Sequence, residues 1–178
     1  HSINNSELIN MDKPTIKDWI IATRPWSFPA STMPALIALS YAFYEQSKTG
    51  IEVNLIFGII AVIGAMLFQA SGNLIGDYFD FKHNVDRKES FGSSRMLVDG
   101  IFTPKTIFIF GIVLLVIGSL LGFFLLSQTG LPLFWIGLIG VLSTYFYYKL
   151  KYIALGDIII FIIYGQLIAL GTYFVMTK

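Results

Sequence analysis

Polar side chains collect near the middle of the chain, where a long apolar stretch ends. Asn73, Asp77 and Asp80 are spaced i, i+4 and i+7, which places them on one face of a helix. Asp86 cannot join that face on a continuing helix, because its offset from Asp80 corresponds to roughly 240° of rotation. We therefore expect the helix to end near Phe81, so that Asp86 can fold back toward Asp80.

Carboxylates at the end of an apolar helix are costly unless they face water, a cation or a polar cavity. Magnesium is typically held by one or two carboxylates together with substrate phosphates. We interpret Asp77, Asp80 and Asp86 as candidate metal ligands, with Asn73 on the same face. The residues alone leave open the alternative of a solvated helix end at the level of the lipid headgroups.

The segment after the aspartates carries the cations Arg87, Lys88 and Arg95. Arginine can bind phosphate oxygens through two parallel N–H groups. Arg95 follows a Gly-Ser-Ser run, whose small residues allow the backbone to approach a ligand closely, and it is the candidate substrate contact. For Arg87 and Lys88 we favour contact with anionic lipid headgroups.

Three further candidates lie at the ends of apolar stretches. Arg24 precedes Pro25 and can either face a polar cavity or extend to the membrane interface. Tyr145 and Lys149 are four residues apart and would share one helix face. Interfacial Tyr and Lys are also common membrane anchors, so the residues alone do not decide between site and anchor.

The elements that must position these residues are transmembrane helices. Hydrophobic residues make up 55% of the 178 residues and charged residues only 13%, about half the share of a soluble domain. Charge-free runs are long enough for helices of about 20 residues, and Gly130 and Pro132 divide the longest run. We predict an all-α polytopic transmembrane bundle with spans near 18–44, 53–80, 105–127, 131–149 and 155–177.

The charges are distributed unequally over the two sides that these spans define. All of the twelve Lys and Arg residues except Lys48 and Lys178 fall on the side that contains the amino terminus. The positive-inside rule therefore places residues 1–15, a polar segment, and the 81–105 loop in the cytoplasm. The net charge of +1 does not favour nucleic-acid binding, and the absence of cysteine excludes disulfides and thiolate metal sites.

These residues resemble the UbiA-type intramembrane prenyltransferases, and most closely the dihydroxynaphthoate polyprenyltransferases of menaquinone synthesis. Asp77-Tyr78-x-Asp80 with Asp86 is similar to the family's first aspartate-rich motif. The five-residue gap between Asp80 and Asp86 is similar to the gap in the naphthoate branch. Gly76 departs from the family, which usually has Asn there. The other matching motifs are Asn73-Leu74, Arg24-Pro25, Gly92-x-Ser94-Arg95 and Leu155-Gly156-Asp157.

The resemblance implies a Mg²⁺-dependent transfer of a polyprenyl group from an allylic diphosphate to an aromatic acceptor, dihydroxynaphthoate, in a bacterial inner membrane. By the same resemblance, Asp80 and Asp86 would be catalytic, and Asn73 and Asp77 would contact substrate. Arg24, Arg95 and Lys149 would contact phosphate or acceptor, and Tyr145, also catalytic, would lie near the reacting carbon. The family has about nine spans and a second aspartate-rich motif, so residues 16–178 read as the amino-terminal portion of the domain, inactive alone. Alternatives are another acceptor, such as hydroxybenzoate, homogentisate or a glycerol phosphate, and a transporter fragment.

The predicted orientation can be tested directly, because the chain contains no native cysteine. Cysteines introduced at Ser6 and Ser93 should react with a membrane-impermeant maleimide only from the cytoplasmic side, since the basic residues hold that side inside. Labelling of the Ser93 position from the outside would contradict the orientation.

Overall fold

The structure, a computed structural model, describes residues 13–83, 94–152 and 161–178, with only the backbone described for 147–152 and 161. The described residues form helices and turns and contain no strand, which confirms the all-α prediction. The helices are α1 (Ile16–Ala22), α2 (Pro29–Thr49), α3 (Leu55–Lys82), α4 (Pro104–Thr129), α5 (Pro132–Tyr152) and α6 (Ile168–Met176), the last preceded by π-helical Phe161–Leu167.

The prediction of one continuous first span over 18–44 is wrong, because the chain breaks between α1 and α2. Arg24 adopts the left-handed conformation, with φ 57° and ψ 61°, and a 3₁₀ turn follows at Pro25–Ser27. Proline lacks an N–H and disfavours the helical conformation of the residue before it, so the break falls at this pair. α2 then ends beyond the predicted boundary, at Gly50 with φ 73°.

α3 and α4 are the two helices of the described part that are long and apolar enough to cross a membrane. At 1.5 Å per residue they measure about 42 Å and about 39 Å, more than the roughly 30 Å of a hydrocarbon core. They match the predicted spans 53–80 and 105–127. Shorter apolar stretches, Pro132–Phe146 and Ile162–Met176, lie within the fourth and fifth predicted spans.

α3 is the central helix, because it packs against α2, α4, α5 and α6. Two buried apolar clusters stabilise its two ends. The cluster near the carboxyl end of α3 consists of Ala22, Leu74, Met96, Leu97, Phe102 and Ile107. The cluster near its amino end consists of Ala42, Leu125, Leu133, Val175 and Met176. The carboxyl end of α3, which carries the aspartates, is therefore fixed to α1, to α4 and to the segment before α4.

α3 and α4 pack closely at Gly111. The Ser71 hydroxyl donates a hydrogen bond of 2.8 Å to the Gly111 carbonyl. A Cβ atom at Gly111 would lie 3.0 Å from Ile75 Cγ1 and 3.2 Å from Leu74 Cβ. A side chain at Gly111 would therefore crowd α3 about one turn before Asp77.

We expect Gly111→Leu to lower the free energy of unfolding by about 1–3 kcal/mol, because the added side chain overpacks the α3–α4 contact. The measurement is unfolding by SDS in mixed micelles. Gly122→Leu on the same helix is the matched control, since a Cβ atom there meets no described atom within 4 Å. Equal loss of stability in both variants would contradict the close contact at Gly111.

Candidate functional site

The last two turns of α3 present the predicted polar stripe. α3 remains helical through Lys82 and ends at His83, close to the predicted end. Asp77 and Asp80 are only 3% and 6% exposed. Two carboxylates are therefore held out of water at one end of a membrane-length helix, a position that requires compensating donors or a cation.

Arg24 provides one compensating charge. Its guanidinium Nη1 lies 3.2 Å from Asp77 Oδ1, in an ion pair that joins the break after α1 to α3. The left-handed conformation of Arg24 and the turn that follows direct the chain so that this contact forms. Arg24 Nε is buried and has no hydrogen-bond partner among the described residues. The structure thus brings together two candidates that are 53 positions apart in the sequence.

Ser94 provides the second donor to Asp77, and the sequence did not identify it as a site residue. Its hydroxyl donates to Asp77 Oδ2 at 2.6 Å, and its backbone N–H lies 3.4 Å from the same oxygen. Ser94 is buried. The available signal was its place in the Gly92-x-Ser94-Arg95 pattern, where we treated it only as a small residue beside Arg95.

Asn73 uses its amide to tie α3 to the break after α1. Its Nδ2 donates to the Thr23 carbonyl at 2.9 Å and to the Ser27 hydroxyl oxygen at 2.8 Å. Gln69, one turn earlier on α3, donates to the same Ser27 oxygen at 3.3 Å, while its own Oε1 is buried without a partner in the described part of the chain. Gln69 lies on the same face of α3 as Asn73, and it is, after Ser94, the second residue that the sequence analysis missed.

Arg95 lies beside the acidic cluster but is not buried in it. Its backbone is left-handed, with φ 61°. Its Nη2 is 3.2 Å from Asp99 Oδ1, and both side chains are well exposed. An exposed ion pair of this kind contributes little to stability, so the guanidinium can exchange partners at low cost.

The remaining candidates fall in different parts of the molecule. Asp86 lies outside the described residues, as does the side chain of Lys149. Tyr145 is on α5, with its ring 5.1 Å from that of Phe146 in an edge-to-face arrangement. The structure therefore brings Asn73, Asp77 and Arg24 to one place, and the functional roles of all the candidate residues stay predictions.

An apolar cavity of about 320 Å³ lies between α3, α4, α5 and the last helical segment. Its wall includes Phe68, Leu126 and Val141, and Thr144, the neighbour of Tyr145, adds a hydroxyl. Thr172 adds a second hydroxyl to the wall. A cavity with these walls can hold an extended hydrocarbon chain.

The fit of the acidic cluster to magnesium depends on what the substrate contributes. In the described part of the chain, no group of three or more Asp, Glu, His or Cys residues is close enough to hold one ion. Magnesium commonly uses one or two protein carboxylates and takes its other oxygen ligands from phosphates and water. Asp80 offers one buried carboxylate, which fits a site completed by magnesium, diphosphate and water but not an all-protein metal cage.

The sequence pattern of the UbiA prenyltransferase family matches residues 31–178. UbiA prenyltransferase domain-containing protein 1 of Danio rerio is 36% identical over 155 residues, covering 84% of this chain and 44% of the relative. The Homo sapiens protein of that name is 35% identical over 161 residues, covering 87% and 46%. The Drosophila melanogaster homolog is 30% identical over 171 residues, covering 91% and 46%. The chain spans about half the length of the curated relatives it matches.

The role of Asn73 as a tie between helices gives a prediction about stability. Asn73→Asp conserves shape but removes both N–H donors and places a carboxylate against the Thr23 carbonyl. We expect it to reduce the free energy of unfolding by about 1–3 kcal/mol. The same amide-to-acid change at exposed Gln128, whose amide donates to the neighbouring Ser127 hydroxyl, is the matched control. SDS titration at pH 7 measures the free energy of unfolding of both variants. An unchanged value for Asn73→Asp would contradict a stabilising contact of Asn73 with Thr23 and Ser27.

Proposed function

Since this chain belongs to the UbiA prenyltransferase family, we propose that it forms the amino-terminal portion of an enzyme that transfers a polyprenyl group from an allylic diphosphate to an aromatic acceptor. The family is one of integral membrane proteins, in agreement with the two membrane-length helices. The observation that carries the proposal is the buried Asp77–Asp80 pair beside Arg24, at the end of a membrane helix.

In the proposed reaction the bond between the allylic carbon and the diphosphate oxygen breaks, and the departing diphosphate takes the electron pair. The electron-rich ring of the acceptor forms the new carbon–carbon bond, and the ring then loses a proton. Asp80 and Asp86 would hold Mg²⁺, with Asp77 close by. The bound ion would neutralise charge that develops on the leaving diphosphate.

The protein supplies binding, orientation and the exclusion of water. Exposed Arg95 would exchange Asp99 for diphosphate oxygens, which it can bind bidentately. Lys149 and Arg24 are the other proposed contacts to phosphate or acceptor. The apolar cavity beside α3 would hold the polyprenyl chain away from water, and Tyr145 would lie near the reacting carbon, where an aromatic face stabilises an allylic cation.

For the acceptor we propose dihydroxynaphthoate, and hence a place in menaquinone synthesis. The support is the spacing of Asp80 and Asp86 and the Asn73-Leu74 pair. The names of the matched relatives specify no acceptor, so hydroxybenzoate, homogentisate and glycerol phosphate are the competing acceptors for a direct assay.

We place the polar site on the cytoplasmic face because of the positive-inside charge pattern. The proposed location in the bacterial inner membrane rests on the resemblance to the naphthoate branch, whereas the relatives named above are animal proteins.

The test is prenyl transfer by the full-length protein in vesicles. We expect Asp80→Asn and Asp86→Asn each to lower magnesium-dependent turnover by about a hundredfold or more, the scale of losing a main electrostatic contact to the transition state. Asp18→Asn is the matched control, because Asp18 caps the amino end of α1, away from α3, and the change should leave activity unchanged. Near wild-type activity in both site variants would exclude these carboxylates as metal ligands.

A further inference from the structure

Two arginines adopt a strained backbone conformation around a single carboxylate. Within the described ranges, Arg24 and Arg95 are the two non-glycine residues with positive φ, at 57° and 61°. Residues with a Cβ atom occupy this region rarely, and they remain there only when surrounding contacts hold them. Each arginine is one contact away from Asp77, Arg24 through its own side chain and Arg95 through its neighbour Ser94.

The two oxygens of Asp77 are divided between these two segments. Oδ1 accepts from Arg24 and Oδ2 accepts from the Ser94 hydroxyl at 2.6 Å, a distance typical of a charge-assisted hydrogen bond. The carboxylate is 3% exposed. One buried side chain of α3 therefore joins the break after α1 to the segment that leads into α4.

We propose that Asp77 is a positioning residue rather than a magnesium ligand. It holds the backbones of Arg24 and Arg95 in their left-handed conformations and so fixes both arginines at the carboxyl end of α3. The purpose of this positioning, contact between the arginines and the diphosphate, rests on the proposed prenyl transfer. The docking of the Ser94 segment onto α3 is a property of the fold and does not depend on that function.

The segment after Ser94 has a second attachment that makes the proposal testable without unfolding the protein. Met96, Leu97 and Phe102 are buried in the apolar cluster with Ala22 and Leu74. Loss of the Ser94 hydroxyl should therefore release the backbone around Arg95 while the apolar anchor remains. The amide that reports on this is that of Asp99, because it donates to the Arg95 carbonyl at 2.8 Å.

Hydrogen exchange measures the docking directly. In Ser94→Ala we expect the Asp99 amide to exchange about tenfold faster or more, the scale of one charge-assisted hydrogen bond. The amide of Phe102, whose acceptor is the Met96 carbonyl, should change less. Ser127→Ala is the matched control, since that exposed hydroxyl donates to the Phe124 carbonyl of its own helix. Unchanged exchange at Asp99 would overturn the proposal.

Relief of backbone strain should restore the docking. Asn tolerates the left-handed conformation better than Arg does. In the Ser94→Ala background, Arg95→Asn should therefore return Asp99 exchange toward the wild-type rate, although the hydroxyl is still absent. Faster exchange in the double variant than in Ser94→Ala would contradict a role for Asp77 and Ser94 in holding this conformation.

Magnesium titration of prenyl transfer by the full-length protein separates positioning from metal binding. Asp77→Asn and Ser94→Ala should both raise the KM for the diphosphate and leave the Mg²⁺ concentration for half-maximal activity unchanged, while Asp80→Asn raises that concentration. The Asp77→Asn/Ser94→Ala double variant should be no worse than Asp77→Asn alone, because both changes remove one shared contact. A shift in magnesium dependence for Asp77→Asn would make Asp77 a ligand. A wild-type protein without prenyl transfer would instead defeat the proposed function, and the exchange experiment would still test the docking.

Discussion

The ion pair between Arg24 and Asp77 is the constraint on which the arrangement of this chain depends. A carboxylate taken out of water loses several kcal/mol of solvation, and only close donors or an opposite charge can compensate for that loss. The guanidinium reaches Asp77 because the chain breaks between α1 and α2. In a continuous first helix, the chain at Arg24 would follow the helix axis and would not turn toward α3. The break therefore allows the ion pair to form, and the ion pair compensates the buried charge of Asp77.

The same contact explains why polar and apolar chemistry are separated along α3. Gln69, Asn73 and Asp77 follow one another at four-residue intervals and all bond to the turn after α1 or to the segment before α4. On the α4 side, Gly111 allows close helix packing, which excludes water from behind the stripe. The central helix thus offers hydrogen-bonding groups at one end and an apolar cavity wall at the other.

The sequence predicted the parts of this arrangement that depend on local spacing. The stripe on α3 and the two long spans follow from helical periodicity and from run length, and both were confirmed. The break at Arg24 was missed although Pro25 is a sequence signal for it. The left-handed conformation of Arg24 had no such signal, because the sign of φ at a non-glycine residue is set by its tertiary contacts. Ser94 was missed for a similar reason, since a serine at the end of a Gly-Ser-Ser run gives no indication of a carboxylate 17 positions away.

Gly76 can now be examined against the packing around it. The resemblance to the family leads us to expect an asparagine here, and a tight helix contact would be one reason for glycine. A Cβ atom at Gly76 meets no described atom within 4 Å, so packing within the described part of the chain does not require glycine. The neighbouring Asp77 receives its donors from Arg24 and Ser94. The polar groups at this end of α3 are therefore supplied by other segments of the chain, and a side chain at position 76 is not needed to complete the shell of Asp77.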